Sequence, residues 1–364
     1  MTNEQGAYKL SKKELKDINC ELLKDNIKLI TFSFRYNFFV KLFSLAWSFF
    51  FLVCLIRYSN IRTIHAFCTP AGALAYLLSL ITGKRLVIDS YEPHAESMVE
   101  NGTWSENSLK FKILFYLEKK MSERADSVIA ATYGMRDYAL DKYGVVFSKY
   151  YVKPACVDLS LFSYEQKKDP SLVEELGLRG KRVIVYAGKF GGIYLEKDAF
   201  DFFREAQLFY GDILKIVLLT GHKIEEVSKL CKGSEVDEKG LIVRFVPHHD
   251  VPRYMGLADI AFTPVKPVPT KRYCTPIKDG EYWALGLPII ITENISDDSD
   301  IIFKGGVGAL IIPGDANSYR KALNHVEGII NLTSPEELYM KIRNLAEKYR
   351  SFSIAENIYK EVYN

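Results

Sequence analysis

Residues 181–220 read KRVIVYAGKFGGIYLEKDAFDFFREAQLFYGDILKIVLLT. The apolar run ending at Ala187 has the length and β-branched content of a buried strand, and it enters a loop containing Gly188, Gly191 and Gly192. DAFDFFREAQLFYG then repeats its apolar residues at helical spacing, and LKIVLLTG is again a strand. This is a strand–loop–helix–strand unit, the building block of a parallel sheet covered by helices on both faces. Downstream the alternation continues through the helix IEEVSKLCKG, the strand LIVRFV, the helix VPRYMGLA, the strand DIAFTPV, the helix PIKDGEYWALG and the strands LPIIIT and GALIIPG. NSYRKALNHVEGII and the amphipathic segment from Pro335 to Asn364 predict terminal helices.

Upstream, a second series alternates in the same way. IRTIHAF, KRLVIDS and SVIAAT read as strands, while PAGALAYLLSLITG, LKFKILFYLEKKMSERA and YGMRDYALDKYG read as helices, with Gly83 and Gly144 as stops. The rhythm breaks between Tyr150 and Gly180, where Pro154, Pro170 and a polar run intervene. The expected fold class is therefore α/β, with two Rossmann-like, doubly wound parallel-sheet domains facing a cleft. The expected boundaries are 1–165, 166–335, and 336–364 for terminal helices that pack back on the first domain. Ligand sites belong outside the carboxyl ends of the strands.

The chain has 364 residues, 48% apolar and 13% aromatic, enough for two cores and unlike any disordered or fibrous composition. Its 48 Lys+Arg against 45 Asp+Glu leave +3, so no general field recruits nucleic acid, and no nucleic-acid partner is expected. Six scattered cysteines without metal-ligand spacing, and an opening segment without the apolar centre of a secretory signal, predict reduced, mostly buried thiols in a cytoplasmic protein. Residues 42–56, LFSLAWSFFFLVCLI, carry no charge, yet fall short of the roughly 20 residues a membrane span needs. This stretch reads first as a buried helix, next as an interfacial helix at the inner face of a membrane, and last as a span.

Three places carry candidate chemistry. In CTPIKDGEYWALGLP, from Cys274 to Pro288, Thr275 and Pro276 read as N-cap and first helical residue, and Gly286 as the stop. The free amides from Thr275 to Lys278, with Lys278 beside them, form an anion site, and Glu281 shares the face of Lys278. The competing reading is a surface Lys–Glu pair of a few tenths of a kcal/mol. The loop Gly188-Lys189-Phe190-Gly191-Gly192 lets backbone approach a ligand and puts Lys189 near a diphosphate, although its spacing matches neither the dinucleotide fingerprint nor the P-loop and also suits a tight turn. Asp89, Glu92, His94 and Glu96 follow the strand RLVIDS, where cleft residues belong. His248, His249 and Asp250 lack further ligands at useful spacing, so they read as turn residues near a bound base, and no metal site is expected.

Taken in order, IRTIHAF, RADSVIAAT, VKPACVDLSLF, VYAGKFGG, IVLLTGH, VRFVPHHDVPRYMGLADIAFTP and PIKDGEYWALGLPIIIT make the chain resemble a glycosyltransferase of family 4 with the GT-B fold. The resemblance covers nearly the whole chain. It implies transfer of a sugar from a nucleoside-diphosphate sugar, with retention and without a metal or other cofactor, to a saccharide or lipid-linked acceptor in polysaccharide or glycolipid synthesis. It further implies that Glu281 grips the ribose, that Lys189 neutralises the leaving diphosphate, and that His94 lies near the donor sugar, these three acting in catalysis. Donor contacts are implied for Gly188, Lys189, Gly191, Gly192 and Lys197, for His248, and for Tyr273, Thr275, Pro276, Ile277, Lys278 and Glu281.

The sequence departs from the family at three points. Tyr273 stands where a sugar-gripping glutamate often precedes the ribose-binding one by eight positions. Tyr194 occupies the place of a second basic residue, with Lys197 the nearest substitute. NIKLITFSF (26–34) is the first clear strand, so the usual opening strand and glycine loop are expected to be absent, leaving a sheet edge unfilled and solubility poor. The alternative reading is a non-catalytic remnant or partner subunit of the same fold, which binds nucleotide or sugar without turnover.

Overall fold

The computed structural model describes residues 10–32 and 38–364. Two leading helices, α1 (Lys12–Lys24) and α2 (Phe38–Tyr58), precede the first domain. That domain contains β1 (Thr63–Phe67), α3 (Thr69–Thr82), β2 (Arg85–Tyr91), α4 (His94–Glu100), α5 (Leu109–Arg124), β3 (Ser127–Ala130), α6 (Met135–Tyr143) and β4 (Tyr150–Val152). After α7 (Pro170–Glu175), the second domain runs through β5 (Arg182–Ala187), α8 (Lys197–Tyr210), β6 (Leu214–Leu219), α9 (Ile224–Gly233), β7 (Leu241–Arg244), α10 (Val251–Met255) and β8 (Ile260–Thr263). It continues with α11 (Ile277–Ala284), β9 (Ile289–Thr292), α12 (Asp298–Gly305), β10 (Gly308–Ile311) and α13 (Ala316–Leu332). The chain ends in α14 (Pro335–Arg350) and α15 (Phe352–Tyr363).

Both sheets are parallel. The first has the order β1-β2-β3-β4, and the second the order β10-β9-β8-β5-β6-β7. In β5 the residues alternate between two cores: Val183, Val185 and Ala187 pack on one face of the sheet, Ile184 and Tyr186 on the other. Full burial on both faces is why these strands read as continuous apolar runs rather than alternating ones. Because β5 lies between β6 and β8, the chain reverses direction across the sheet there, and the loops after β5 and β8 open a crevice at the switch point. The fold thereby places Gly188 to Gly192 at the position where ligands enter such sheets.

Three expectations change. Of NIKLITFSF, residues 27–31 form no regular element, Phe32 makes an isolated β-bridge, and Ser33 and Phe34 lie outside the described residues; among the described residues β1 is the first strand and the edge of the first sheet. The apolar stretch 42–56 lies in α2, but it is not a buried helix, since Phe43, Phe50 and Trp47 (62%) are exposed. Among the described residues no helix is long and apolar enough to cross a membrane. Of the six cysteines only Cys231 is fully buried.

The terminal helices part company. Leu338, Ile342 and Ala346 of α14 belong to the second domain's core, whereas Val362 of α15 packs on Val87 and Ile129 of the first. There the Tyr359 hydroxyl donates to Asp89 (2.6 Å) and the Lys153 ammonium pairs with it (3.2 Å). Burial alone would raise the Asp89 pKa, but His65, Tyr359 and Lys153 together hold it below the usual range.

Beneath α4, the buried Glu118 accepts from the Ala95 amide (2.9 Å) and the Tyr143 hydroxyl (2.9 Å). Burial pushes its pKa up to about 7. A carboxyl raised in the folded state stabilises fully below its unfolded pKa, and that stability is lost as pH rises through the folded value. The wild type is therefore expected to lose up to about 3 kcal/mol between pH 5 and 8 that Glu118→Gln does not lose. Parallel melting curves for the two proteins across that range would refute the assignment.

Candidate functional site

The glycine loop after β5 is held by side chains on both flanks. The Tyr186 hydroxyl donates to the Lys189 carbonyl (2.5 Å), and a Cβ at Gly188 would lie 2.7 Å from that hydroxyl. The Phe190 amide donates to His222 Nε2 (3.0 Å), and His222 Nδ1 lies 3.2 Å from Glu226. The carboxylate fixes the proton on Nδ1 and leaves Nε2 to accept. Gly191 (φ 80°) and Gly192 (φ 65°) take left-handed conformations that favour glycine. With Phe190 buried and Lys189 exposed, the loop is a rigid platform with a cation at its tip.

Opposite it, α11 begins one residue later than the sequence predicts. Pro276 is the N-cap and Ile277 the first helical residue, because the Thr275 hydroxyl reaches across to the Ala131 carbonyl of the first domain (3.1 Å) instead of capping. The Lys278 ammonium pairs with Glu281 (2.6 Å), whose side chain is buried while that of Lys278 is partly open. Asp279, fully buried, accepts from Thr263 (2.5 Å). Burial, reinforced by neighbouring Asp298, raises its pKa well above the usual carboxylate range.

These elements meet around a cavity of 230 Å³ lined by Gly188, Lys189, Gly221, Phe245, Val251 and Lys278. A larger cavity of 510 Å³ lies between the domains, lined by Ser90, Glu92, Ala131, Lys153, Cys274 and Thr275 among others. His94 starts α4 with Nδ1 3.4 Å from Glu92, and the Cys274 thiol donates to Glu92 (3.0 Å). Burial would raise Glu92, but His94, Cys274 and Lys271 keep it below its ordinary value. The Cys274 thiol is pushed up by burial and by Glu92, so it stays protonated.

The placements divide the residues picked from the sequence. Gly188, Lys189 and Lys278 share one cavity, with Glu281 joined to it through Lys278, and Gly191 and Gly192 complete the loop. Thr275 and Ile277 line the larger cavity beside Glu92, and His94 reaches it through Glu92. Lys197 instead pairs with Asp201 (2.7 Å) on the exposed start of α8. His248 is exposed and lines neither cavity. Tyr273 turns away, its ring 4.9 Å from that of Tyr138, into a third cavity beside Glu96 and Glu100. His222 and Phe245 were not assigned roles by the sequence; their only signal is a polar or aromatic residue just past a strand end. Among the described residues no group of three potential metal ligands occurs.

Neither a protein-family model nor a curated protein matches the chain. Solved structures do. HepE from Anabaena in complex with UDP superposes with a TM-score of 0.71 at 16% identity, over 95% of this chain and 89% of that one. Sucrose-phosphate synthase from Thermosynechococcus elongatus gives 0.67 at 15% identity, over 88% and 78%. A glycosyltransferase from Rickettsia africae gives 0.67 at 15% identity, over 94% and 86%. The two parallel-sheet domains thus have the GT-B fold of these transferases.

Gly188→Ala is expected to destabilise the protein by about 1–3 kcal/mol, because the new methyl meets the Tyr186 hydroxyl. Adding Tyr186→Phe is expected to recover part of that loss in a urea-unfolding double-mutant cycle. Strict additivity of the two changes would show that the hydroxyl is not what excludes a side chain there.

Proposed function

We propose that the protein is a glycosyltransferase that uses a nucleoside-diphosphate sugar. The observation that carries this reading is the meeting of Lys189 and Lys278 at one cavity at the switch point of the second sheet, with Glu281 paired to Lys278 behind it. A buried Glu281 needs a partner, and without ligand Lys278 supplies it. When a nucleotide enters, ribose hydroxyls can donate to Glu281 while Lys278 turns to the diphosphate. Lys189 and the amides at the start of α11 then share the charge that develops on the leaving group.

In the transfer step the bond from the sugar's anomeric carbon to the diphosphate oxygen breaks, and the acceptor oxygen bonds that carbon from the same face. The acceptor's proton passes to the departing diphosphate. His94, beside Glu92 in the first domain, is assigned a donor-sugar hydroxyl, as the family resemblance implies. The reading assigns charge neutralisation to side chains and amides rather than to a metal, as the family resemblance implies. The UDP and UDP-glucose in HepE structures support a UDP-linked donor.

A second reading, nucleotide binding without turnover, is favoured by Tyr273, which packs on Tyr138 instead of facing the donor cavity. Calorimetry with UDP, GDP and ADP tests the shared premise. Micromolar binding of one nucleotide is expected, weakened about tenfold or more in Glu281→Ala, with Lys189→Ala weakening UDP but not uridine. A folded sample that binds none of them would sink both readings. Binding without sugar transfer to any acceptor would leave the second.

The acceptor is proposed to be a saccharide or a lipid-linked saccharide, met at the inner face of a membrane. Phe43, Trp47 and Phe50 form one exposed stripe along α2, and Leu80 and Ile81 of α3 and Ile113 of α5 extend the apolar surface. Arg57 donates to the Ile81 carbonyl, which ties the ends of α2 and α3 together. Lys110 and Lys112, exposed on α5, complement an anionic lipid surface. Co-sedimentation with phosphatidylglycerol vesicles is expected, falling at least about fivefold in Trp47→Asp/Phe50→Asp with the melting temperature unchanged. Equal sedimentation of both proteins would remove the membrane from this account.

A further inference from the structure

Behind the start of α11 lies a cavity of 660 Å³, within the roughly 300–1,000 Å³ usual for small-molecule sites. It is separate from the nucleotide cavity, with no lining residue in common among the described residues. With the interdomain cavity it shares Ala131, Pro154 and Thr275. The two therefore adjoin, meeting at the Thr275–Ala131 hydrogen bond (3.1 Å).

The lining chooses among ligands. Asp297, Asp298 and Asp300 face Lys304, Lys348 and Arg350, so the walls hold equal numbers of carboxylates and cations and favour neither an anion nor a metal ion. Tyr133 (72% exposed) and Tyr349 offer ring surfaces, and Ile301 and Ile354 offer aliphatic ones. Ser296 lines the cavity, is only 7% exposed, and among the described residues its hydroxyl has no hydrogen-bond partner. A buried hydroxyl without a partner is costly unless a ligand or water completes it. Ring faces, balanced charges and an open hydroxyl suit a neutral ring that bears several hydroxyls on an apolar skeleton.

We infer that this cavity is a saccharide subsite, holding a sugar unit of an extended acceptor whose reactive end lies in the interdomain cavity. The inference rests on the glycosyl-transfer reading and narrows it, since the acceptor is then an oligosaccharide that spans the Thr275–Ala131 contact rather than a single sugar. A monosaccharide fills one cavity, while a tri- or tetrasaccharide reaches both.

The test is saturation-transfer NMR on the full chain with UDP present. The probes are glucose, galactose and mannose against maltotetraose, cellotetraose and laminaritetraose. At least one tetrasaccharide is expected to bind about tenfold or more tighter than its monosaccharide. Ile301→Trp, which fills the cavity, is expected to abolish that gain and leave UDP binding intact. Tyr133→Ala, at an exposed ring, gives the same readout should the tryptophan disturb folding. Affinity independent of chain length, a gain that survives both variants, or no saccharide binding to a UDP-competent protein each overturns the subsite while leaving the donor site standing. Failure of UDP itself to bind overturns the transfer reading, and the subsite with it.

Discussion

A buried guanidinium organises the site. Arg350 is 1% exposed, donates to both carboxylate oxygens of Asp298 (2.5 Å), and lies 5.2 Å from the ring centre of Trp283. Two carboxylates, Asp279 and Asp298, share its neighbourhood, so charge balance requires one to keep its proton. Burial and the proximity of Asp298 make that one Asp279. Removing one partner of such a pair leaves an uncompensated buried charge at a cost of about 3–5 kcal/mol. A Cβ on Gly280 would lie 2.9 Å from Val157 and 3.0 Å from the Arg350 stem, so these two side chains leave room only for glycine in the middle of α11. The arginine thus sets the register of the helix that presents Lys278 and Glu281. Its carbonyl also accepts from Val157 (2.8 Å), tying the interdomain connection to the point where the chain turns into α15.

Among the described residues, the second-domain segment 270–275 makes most of the polar contact with the first domain. Glu100 accepts from the Thr270 amide (3.2 Å), Lys271 donates to Ser97 (3.3 Å), Cys274 to Glu92 and Thr275 to Ala131. Movement of the domains against each other therefore moves residues 270–275 relative to α4, and with them one wall of the larger cavity. On the far side, Tyr359 and Lys153 at Asp89 fix the returning α15 to the first sheet.

The strands were legible because burial on both faces leaves an unmistakable apolar run, and Gly191 and Gly192 because the turn out of the strand takes left-handed backbone. What escaped the sequence was decided by contacts between distant residues. Thr275 looks like an N-cap until Ala131, from the other domain, offers a carbonyl. Tyr273 could have faced a ligand until Tyr138 offered a ring. Lys197 reads as a phosphate ligand only while Asp201, four residues on, is ignored. The apolar run in α2 states how greasy the helix is, but not whether protein covers it. His222 illustrates the converse, since its role depends on an amide 32 positions upstream that no spacing rule connects to it.

Electrostatics across the cleft point in one direction. Lys189 stands exposed at the tip of the second domain's glycine loop and Lys278, paired with Glu281, lies beside the amides that start α11, whereas the loop before α4 puts Glu92 of the first domain on the interdomain cavity. A ligand with an anionic end and a hydroxyl-rich end lowers its energy in only one orientation here, charge toward β5 and hydroxyls toward α4. Carboxylates accept hydroxyl protons well and repel phosphate, so the first domain discriminates against a reversed ligand as strongly as the second attracts the correct one. Glu92 is held ionised by its neighbours, which keeps this polarity in place at neutral pH. For a donor bound as proposed, orientation would follow from this placement of charge before any specific sugar contact is made.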